Sequence, residues 1–196
     1  RRHRELTDRL LAAGDATFFD PARGLYRELP LGTPVPESPK AYAEFTEHAQ
    51  CMALLAGAVG RARRAGFAKA LFTAEPIARA TIYYAHYLFD ACAELADLGG
   101  DSVLFDRLST WHALPERGFK TTFEAPEPTR SDCHAWGAHP LYHLYATVLG
   151  VRPASPGFRS VTLRPMLGPL TQAAATAKLP PGVTGTLHVN GTSTVL

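Results

Sequence analysis

Ile82-Tyr83-Tyr84-Ala85-His86-Tyr87-Leu88-Phe89-Asp90-Ala91-Cys92-Ala93 decides the fold class, because it is apolar or aromatic on nearly every side of a helical projection. A helix without a wide polar face must be covered on most sides. The stretch therefore predicts a central helix within Ile77 to Leu98, surrounded by other helices. Gly99-Gly100 ends it, and Asp101 is placed to cap the next helix. That helix carries Leu104, Leu108 and Trp111 on one stripe, with Phe105 and His112 beside it.

Toward the N-terminus, Leu6, Leu10, Ala13 and Thr17 share one helical face, with Leu11 alongside. Asp20-Pro21-Ala22-Arg23-Gly24 reads as a turn. Four prolines between Leu29 and Pro39 predict an ordered loop. Thr46 is placed to cap a helix through His48–Ala56 that ends near Gly57 or Gly60, and a short helix covers Ala62 to Phe72. Toward the C-terminus, a polar segment from Pro115 to Asp132 leads into a helix from about His134 to Leu149. Pro140 falls in its first turn, where a missing N–H is tolerated.

After Gly150 the period changes to two. Val161 and Leu163 share a face, and Thr171 to Leu179 and Val183 to Asn190 read as strands around Pro180-Pro181-Gly182. Thr192 to Leu196 could add another. The expectation is a mainly α chain of about six helices in hairpins (residues 1–149), followed by a small antiparallel β module (residues 150–196). Stacked helical hairpins form a solenoid or a closed toroid. No fixed sequence period is present, which favours the toroid.

The chain has 196 residues, 46% of them hydrophobic, and a net charge of +2. This composition permits a packed core. Lys and Arg are scattered, apart from a short run at Arg61, Arg63 and Arg64, so nucleic-acid binding has no electrostatic footprint. The apolar stretches are too short and too often interrupted to span a bilayer. Arg1-Arg2-His3-Arg4 has no apolar signal-peptide core behind it. It enters a helical pattern at once and reads as an internal cut through a longer protein, with tag removal as the alternative explanation of the missing Met. Cys51, Cys92 and Cys133 are odd in number, far apart, and set in apolar or helical contexts. They read as reduced structural thiols, which slightly favours a reducing, cytoplasmic compartment.

The chemistry concentrates in Lys120-Thr121-Thr122-Phe123-Glu124-Ala125-Pro126-Glu127-Pro128-Thr129-Arg130-Ser131-Asp132-Cys133-His134-Ala135-Trp136. Carboxylates, an Arg, a His and a Trp gather there within one loop length. Sugar hydrolysis needs such parts: a carboxylate to activate water, polar groups to grip hydroxyls, and an aromatic face for the C–H side of the ring. An ordinary solvated loop before a capped helix fits the composition as well.

Thr121–Glu124, Pro128–Trp136 and Gly137-Ala138-His139-Pro140-Leu141-Tyr142 together resemble bacterial α-L-rhamnosidases. The same holds for Leu149-Gly150-Val151-Arg152-Pro153-Ala154-Ser155-Pro156-Gly157-Phe158. Upstream, Phe19-Asp20-Pro21, Gly24-Leu25-Tyr26, Glu47-His48-Ala49-Gln50 and Ala80-Thr81-Ile82-Tyr83-Tyr84 follow in the family's order, so the resemblance spans nearly the whole chain. It implies the second half of an (α/α)6 barrel, the start of a C-terminal β-sandwich, and inverting hydrolysis of terminal α-L-rhamnosides. It makes Glu124 the general base. Many relatives place one residue between the aromatic and the Glu, so Glu127 is the alternative. It makes His134 a sugar contact, and Trp136, Arg130 and Asp132 residues that line the pocket or orient it. In relatives the general acid lies in an acidic stretch of the first barrel half, and this chain has no such stretch. The missing N-terminal half, or a second copy, is the expected protein partner, and a rhamnoside the expected small one.

No cofactor or metal is expected. His134, His139 and His143 invite a metal reading, but Pro140 intervenes and no Glu sits beside His139 as in a zinc-protease helix. Cys133-His134 are sequence neighbours, which rarely meet as nucleophile and base. Tyr83, Tyr84 and Tyr87 read as core, with a sugar-lining role as the alternative. His48 reads as a buried, hydrogen-bonded side chain. The competing functions are a toroid glycosidase acting on another sugar, and a non-catalytic carbohydrate-binding or scaffold module.

Overall fold

The computed structural model describes residues 2–35, 43–179, 183–190 and 193–195. The helices are α1 (Arg2–Phe18), α2 (Glu47–Leu55), α3 (Arg64–Thr73), α4 (Ala85–Glu94), α5 (Gly100–His112) and α6 (Pro140–His143). The short hairpin β1 (Phe19–Asp20) and β2 (Leu25–Tyr26) follows α1 around the expected turn, where Asp20 Oδ1 accepts from the Ala22 N–H at 2.8 Å. No helix among the described residues is long and apolar enough to cross a membrane.

The helix α4 is the centre of the core. Leu88, Phe89, Ala91 and Cys92 are fully buried, against Leu25, Cys51, Phe67 and Leu104 from the surrounding elements. The helix is shorter than the apolar pattern predicts. Upstream of it, the Ala78 N–H donates to the Phe45 carbonyl (3.0 Å) and the Ala80 N–H to Glu47 Oε2 (2.6 Å). Those amides have long-range partners, so the backbone there does not coil. Thr46 caps α2 as expected, its hydroxyl accepting from the Ala49 N–H at 3.0 Å.

Asp101 does not cap α5. The cap position is Gly99, at φ +96°, with no side-chain bond. Gly100 is required for close approach, since a Cβ there would lie 2.2 Å from the Cys92 carbonyl oxygen. The last expected helix is broken into a 3-10 turn (Ala135–Ala138), α6 and a π turn (Leu144–Val148). Its start is tightened because the Gly137 carbonyl accepts from the Trp111 indole N–H at 2.6 Å, and Pro140 supplies no donor. The apolar face of α1 also differs from expectation. No residue of α1 is buried, and Leu10 is 64% exposed.

Cys51 and Cys92 are buried thiols, whereas Cys133 is exposed because its segment is a loop rather than a helix. Burial pushes the Cys51 thiol up to about 12 and the Cys92 thiol further still.

After Gly150, β3 (Val151–Pro153) pairs antiparallel with β4 (Val161–Leu163). Leu149, Val151, Leu163, Leu167, Ala173 and Ala175 form a small separate core. Arg152 ties this hairpin to the helices, donating to the Ala146 carbonyl, Thr147 Oγ1 and Asp90 Oδ1 at 2.9 Å each. Then β5 (Gln172–Leu179), β6 (Val183–Asn190) and β7 (Ser193–Val195) form an antiparallel meander, with Leu179 opposite Val183. The 180–182 turn and the 36–42 part of the proline-rich loop lie outside the described residues. The observed class is therefore mainly helical with small antiparallel sheets.

Candidate functional site

The polar segment after α5 has a definite shape, set by one buried side chain. Phe123 packs with Ile82 and Leu114, and beneath it Phe119 stacks at 5.3 Å between ring centroids. Arg117 covers the rings of Phe119 and Phe123 at 5.5 and 5.7 Å. From this anchor the chain runs out and returns. The His134 N–H donates to the Thr122 carbonyl (2.8 Å), the Thr122 hydroxyl to the His134 carbonyl (2.6 Å), and the Glu124 N–H to the Ser131 carbonyl (2.9 Å). Two polar rungs thus hold Glu124 and His134 on neighbouring runs of one loop. Gly137 closes the base of the loop, because a Cβ there would sit 3.0 Å from both the Phe123 carbonyl oxygen and Thr122 Cβ.

Within this frame the two candidate carboxylates differ. The Glu124 side chain is recessed, 9% exposed, and ion-paired to Arg130, whose own guanidinium stands in solvent. Glu127 is exposed and held by Arg117 at 2.8 Å. Glu127, Asp132 and Cys133 line a shallow groove with Arg117, Phe119 and Lys120. Glu124, Arg130, His134 and Trp136 do not line that groove. The loop therefore pairs Glu124 with Arg130 and stacks His134 on Trp136, while Asp132 lies along the groove with Glu127.

His134 begins a run of aromatic rings. It stacks on Trp136 at 4.1 Å, Trp136 on Tyr83 at 5.3 Å, Tyr83 meets Tyr87 at 6.3 Å, Tyr87 meets Tyr84 at 4.9 Å, and Tyr84 stacks on His48 at 4.0 Å. Trp136 is 45% exposed and Tyr83 47%. The reading of Tyr83 as core is corrected by this: it precedes α4, where the chain has not yet turned inward. These rings, tilted 46–86° to one another, form an aromatic shelf. His48 is half-buried and belongs to the shelf.

Behind the shelf lies a second group, His86, His139 and His143, whose ring nitrogens come within 4.8 Å of one another. His139 Nε2 is 2.8 Å from the Ile82 carbonyl, which only accepts, so that nitrogen carries the proton. Its Nδ1 is buried without a partner. His143 Nε2 lies 3.0 Å from His86 Nδ1, and His143 Nδ1 lies 3.0 Å from Thr147 Oγ1. Burial, with His86 nearby, drives His143 down to about 3, and burial lowers His139 despite its bond to Ile82. Both are neutral imidazoles near pH 7. The sequence pointed to His139 and His143 but paired them with His134, which faces Trp136 instead. His86 gave no local signal: it lies 53 and 57 residues before its partners and reaches them only through the fold (139 − 86 and 143 − 86).

Comparisons with known proteins speak to the fold alone. No family model matches the sequence, and no curated protein matches it. Among solved structures, the chain is similar to the GH78 family rhamnosidase of Bacillus sp. GL1, with a TM-score of 0.75 and 22% sequence identity over 95% of this chain. The chain spans 20% of the length of that protein. The chain therefore has the fold of a segment of that rhamnosidase.

Proposed function

We propose that this chain is the general-base side of an inverting glycoside hydrolase acting on terminal α-L-rhamnosides. The observation that carries the reading is the recessed Glu124 carboxylate, on a loop whose two backbone rungs set Glu124 beside the run that carries His134 and Trp136. The fold likeness to a rhamnosidase segment supports it. In the proposed arrangement the helices are the second half of an (α/α)6 barrel, and residues 150–196 begin a β-sandwich.

The mechanism follows from the chemistry of inversion. Two carboxyl groups stand roughly 6.5–9.5 Å apart, with a water between the base and the anomeric carbon. Glu124 takes a proton from that water as its oxygen attacks. A general acid outside these 196 residues protonates the departing glycosidic oxygen. Trp136 and Tyr83 cover the apolar face of the ring, and His134 holds a hydroxyl. Arg130 is the mobile partner of Glu124: it pairs with the carboxylate in the free site and is displaced to solvent when water and sugar enter. Glu127 holds the outer surface of the loop through Arg117, and Asp132 lies along the same groove.

Glu124→Gln in the full-length protein tests the assignment. Turnover of an aryl α-L-rhamnoside should fall by a factor on the order of 10²–10⁴, with an unchanged circular dichroism spectrum and retained sugar binding. Normal turnover in that variant rejects Glu124 as the base, and loss of activity in Glu127→Gln alone would transfer the role. The Arg130–Glu124 ion pair favours a second reading, a carbohydrate-binding module without catalysis. That reading requires rhamnose binding by a full-length wild-type protein that does not hydrolyse rhamnosides.

A further inference from the structure

We propose that His86, His139 and His143 form a binding site for a single divalent transition-metal ion, with zinc the best match. The site clamps α4 to the broken helix that follows the sugar-binding loop. The argument begins with the nitrogens. In each ring one nitrogen faces the cluster and the other has a polar neighbour outside it. His139 presents Nδ1 and donates Nε2–H to the Ile82 carbonyl (2.8 Å). His143 presents Nε2 and has Nδ1 against Thr147 Oγ1 (3.0 Å). His86 presents Nδ1 and has Nε2 toward Asp90 Oδ2 (3.8 Å). Metal-bound histidines are oriented in this way, with the far nitrogen fixed by a carbonyl, hydroxyl or carboxylate; Ile82 and Thr147 do this here at hydrogen-bond distance, and Asp90 stands just beyond it.

The spacing also fits. Ligand nitrogens about 2.0–2.1 Å from a tetrahedral zinc lie ~3.3 Å apart. The cluster spans 4.8 Å at most, and its tightest pair is 3.0 Å, so small side-chain rotations seat the ion. The buried His139 Nδ1 has no partner in the protein, and with Nε2–H given to the Ile82 carbonyl its lone pair is free to bind a metal. A purely structural hydrogen-bond cluster would be expected to satisfy it.

Loading the site conserves protons. With His143 carrying its proton on Nδ1 toward Thr147, His86 donates from Nδ1 to His143 Nε2 when the ion is absent. When the ion binds, His86 moves its proton to Nε2, on the Asp90 side, and Nδ1 becomes a ligand. No proton need leave. The Asp90 carboxylate also pairs with Arg152 (2.9 Å), which offsets the cation nearest the site. The His86 side chain is 32% exposed, which gives the ion a route in from solvent. The three protein nitrogens leave the fourth tetrahedral position for water.

The test uses the full-length protein, stripped with chelator and titrated with Co²⁺. One equivalent should produce the intense visible bands of a tetrahedral nitrogen-ligated ion, and Zn²⁺ should displace it and raise the melting temperature. His86→Ala and His139→Ala should each weaken Co²⁺ binding by more than the roughly 10–100-fold expected for Thr147→Val, which touches only the outer nitrogen of His143. His86 is only partly buried, so His86→Ala keeps the test valid if His143→Ala fails to fold. Absence of the Co²⁺ bands in the wild type overturns the proposal. So does undiminished binding in folded His86→Ala and His139→Ala, since the ion would then sit elsewhere. Either result leaves the role of Glu124 untouched, because aryl rhamnoside turnover reads that separately.

Discussion

Single residues in this chain divide into those that hold the frame and those the frame presents. Glu47 belongs to the first kind, although it lies in a stretch that resembles a glycosidase family. Its carboxylate is buried, accepts from the Ala80 N–H at 2.6 Å and is ion-paired to Arg107. Removing one member of a buried pair leaves the other charge without compensation. Glu47→Ala should therefore lower stability by roughly 3–5 kcal/mol, read from denaturant midpoints at constant slope. A cost below 1 kcal/mol would show that Arg107 finds solvent or another partner. Gln50, fully buried three residues later, clamps β2: it accepts from the Tyr26 N–H at 2.8 Å and donates to the Tyr26 carbonyl at 2.7 Å. Glu124 is of the second kind. The loop holds its backbone through the Ser131 carbonyl and its carboxylate through Arg130, whose guanidinium is exposed.

At the scale of elements, the return loop after α5 depends on how closely it can lie against its neighbours. Gly137 sits where the loop, Ile82 and the 3-10 turn converge, with Ile82 Cγ2 3.2 Å from the position of a Cβ. Gly137→Ala must push the Phe123 backbone outward. The expected cost is ~1–3 kcal/mol of stability from overpacking. On the proposed reading of Glu124 as the base, the shift of its loop should also lower turnover in the full-length protein, since catalysis is sensitive to small displacements of a reacting group. Stability loss with unchanged kcat would mean that the loop absorbs the shift beyond Glu124. Gly100 works in the same way for the core, letting α5 start against the carbonyls at the end of α4.

For the whole molecule, the uncovered apolar surface is the main fact. Leu141 is 65% exposed, and Tyr142, Leu144 and Tyr145 beside it are also exposed, as are Leu6 and Leu10 on α1. Contiguous apolar helix faces of this sort normally meet another surface. The isolated chain should self-associate in a concentration-dependent way, and Leu141→Asp with Leu144→Asp should shift it toward smaller species on size-exclusion chromatography. A monodisperse monomer at every concentration would count against these faces as an interface.

The sequence alone determined the helix-then-strand order, the α2 cap, the β4–β7 segments and the polar loop that carries the candidate site. These are written in local periodicity, cap chemistry and turn residues, each acting over a few positions. Only the tertiary structure decided that α4 begins at Ala85, that Gly99 rather than Asp101 starts α5, and that Tyr83 joins Trp136 at the surface. It alone brought His86 to His139 and His143. For the start of α4 and for the histidine cluster the physical reason is the same. Backbone donors and ring nitrogens take whichever partner the fold brings within about 3 Å, and those partners lie tens of residues away, where no local pattern records them.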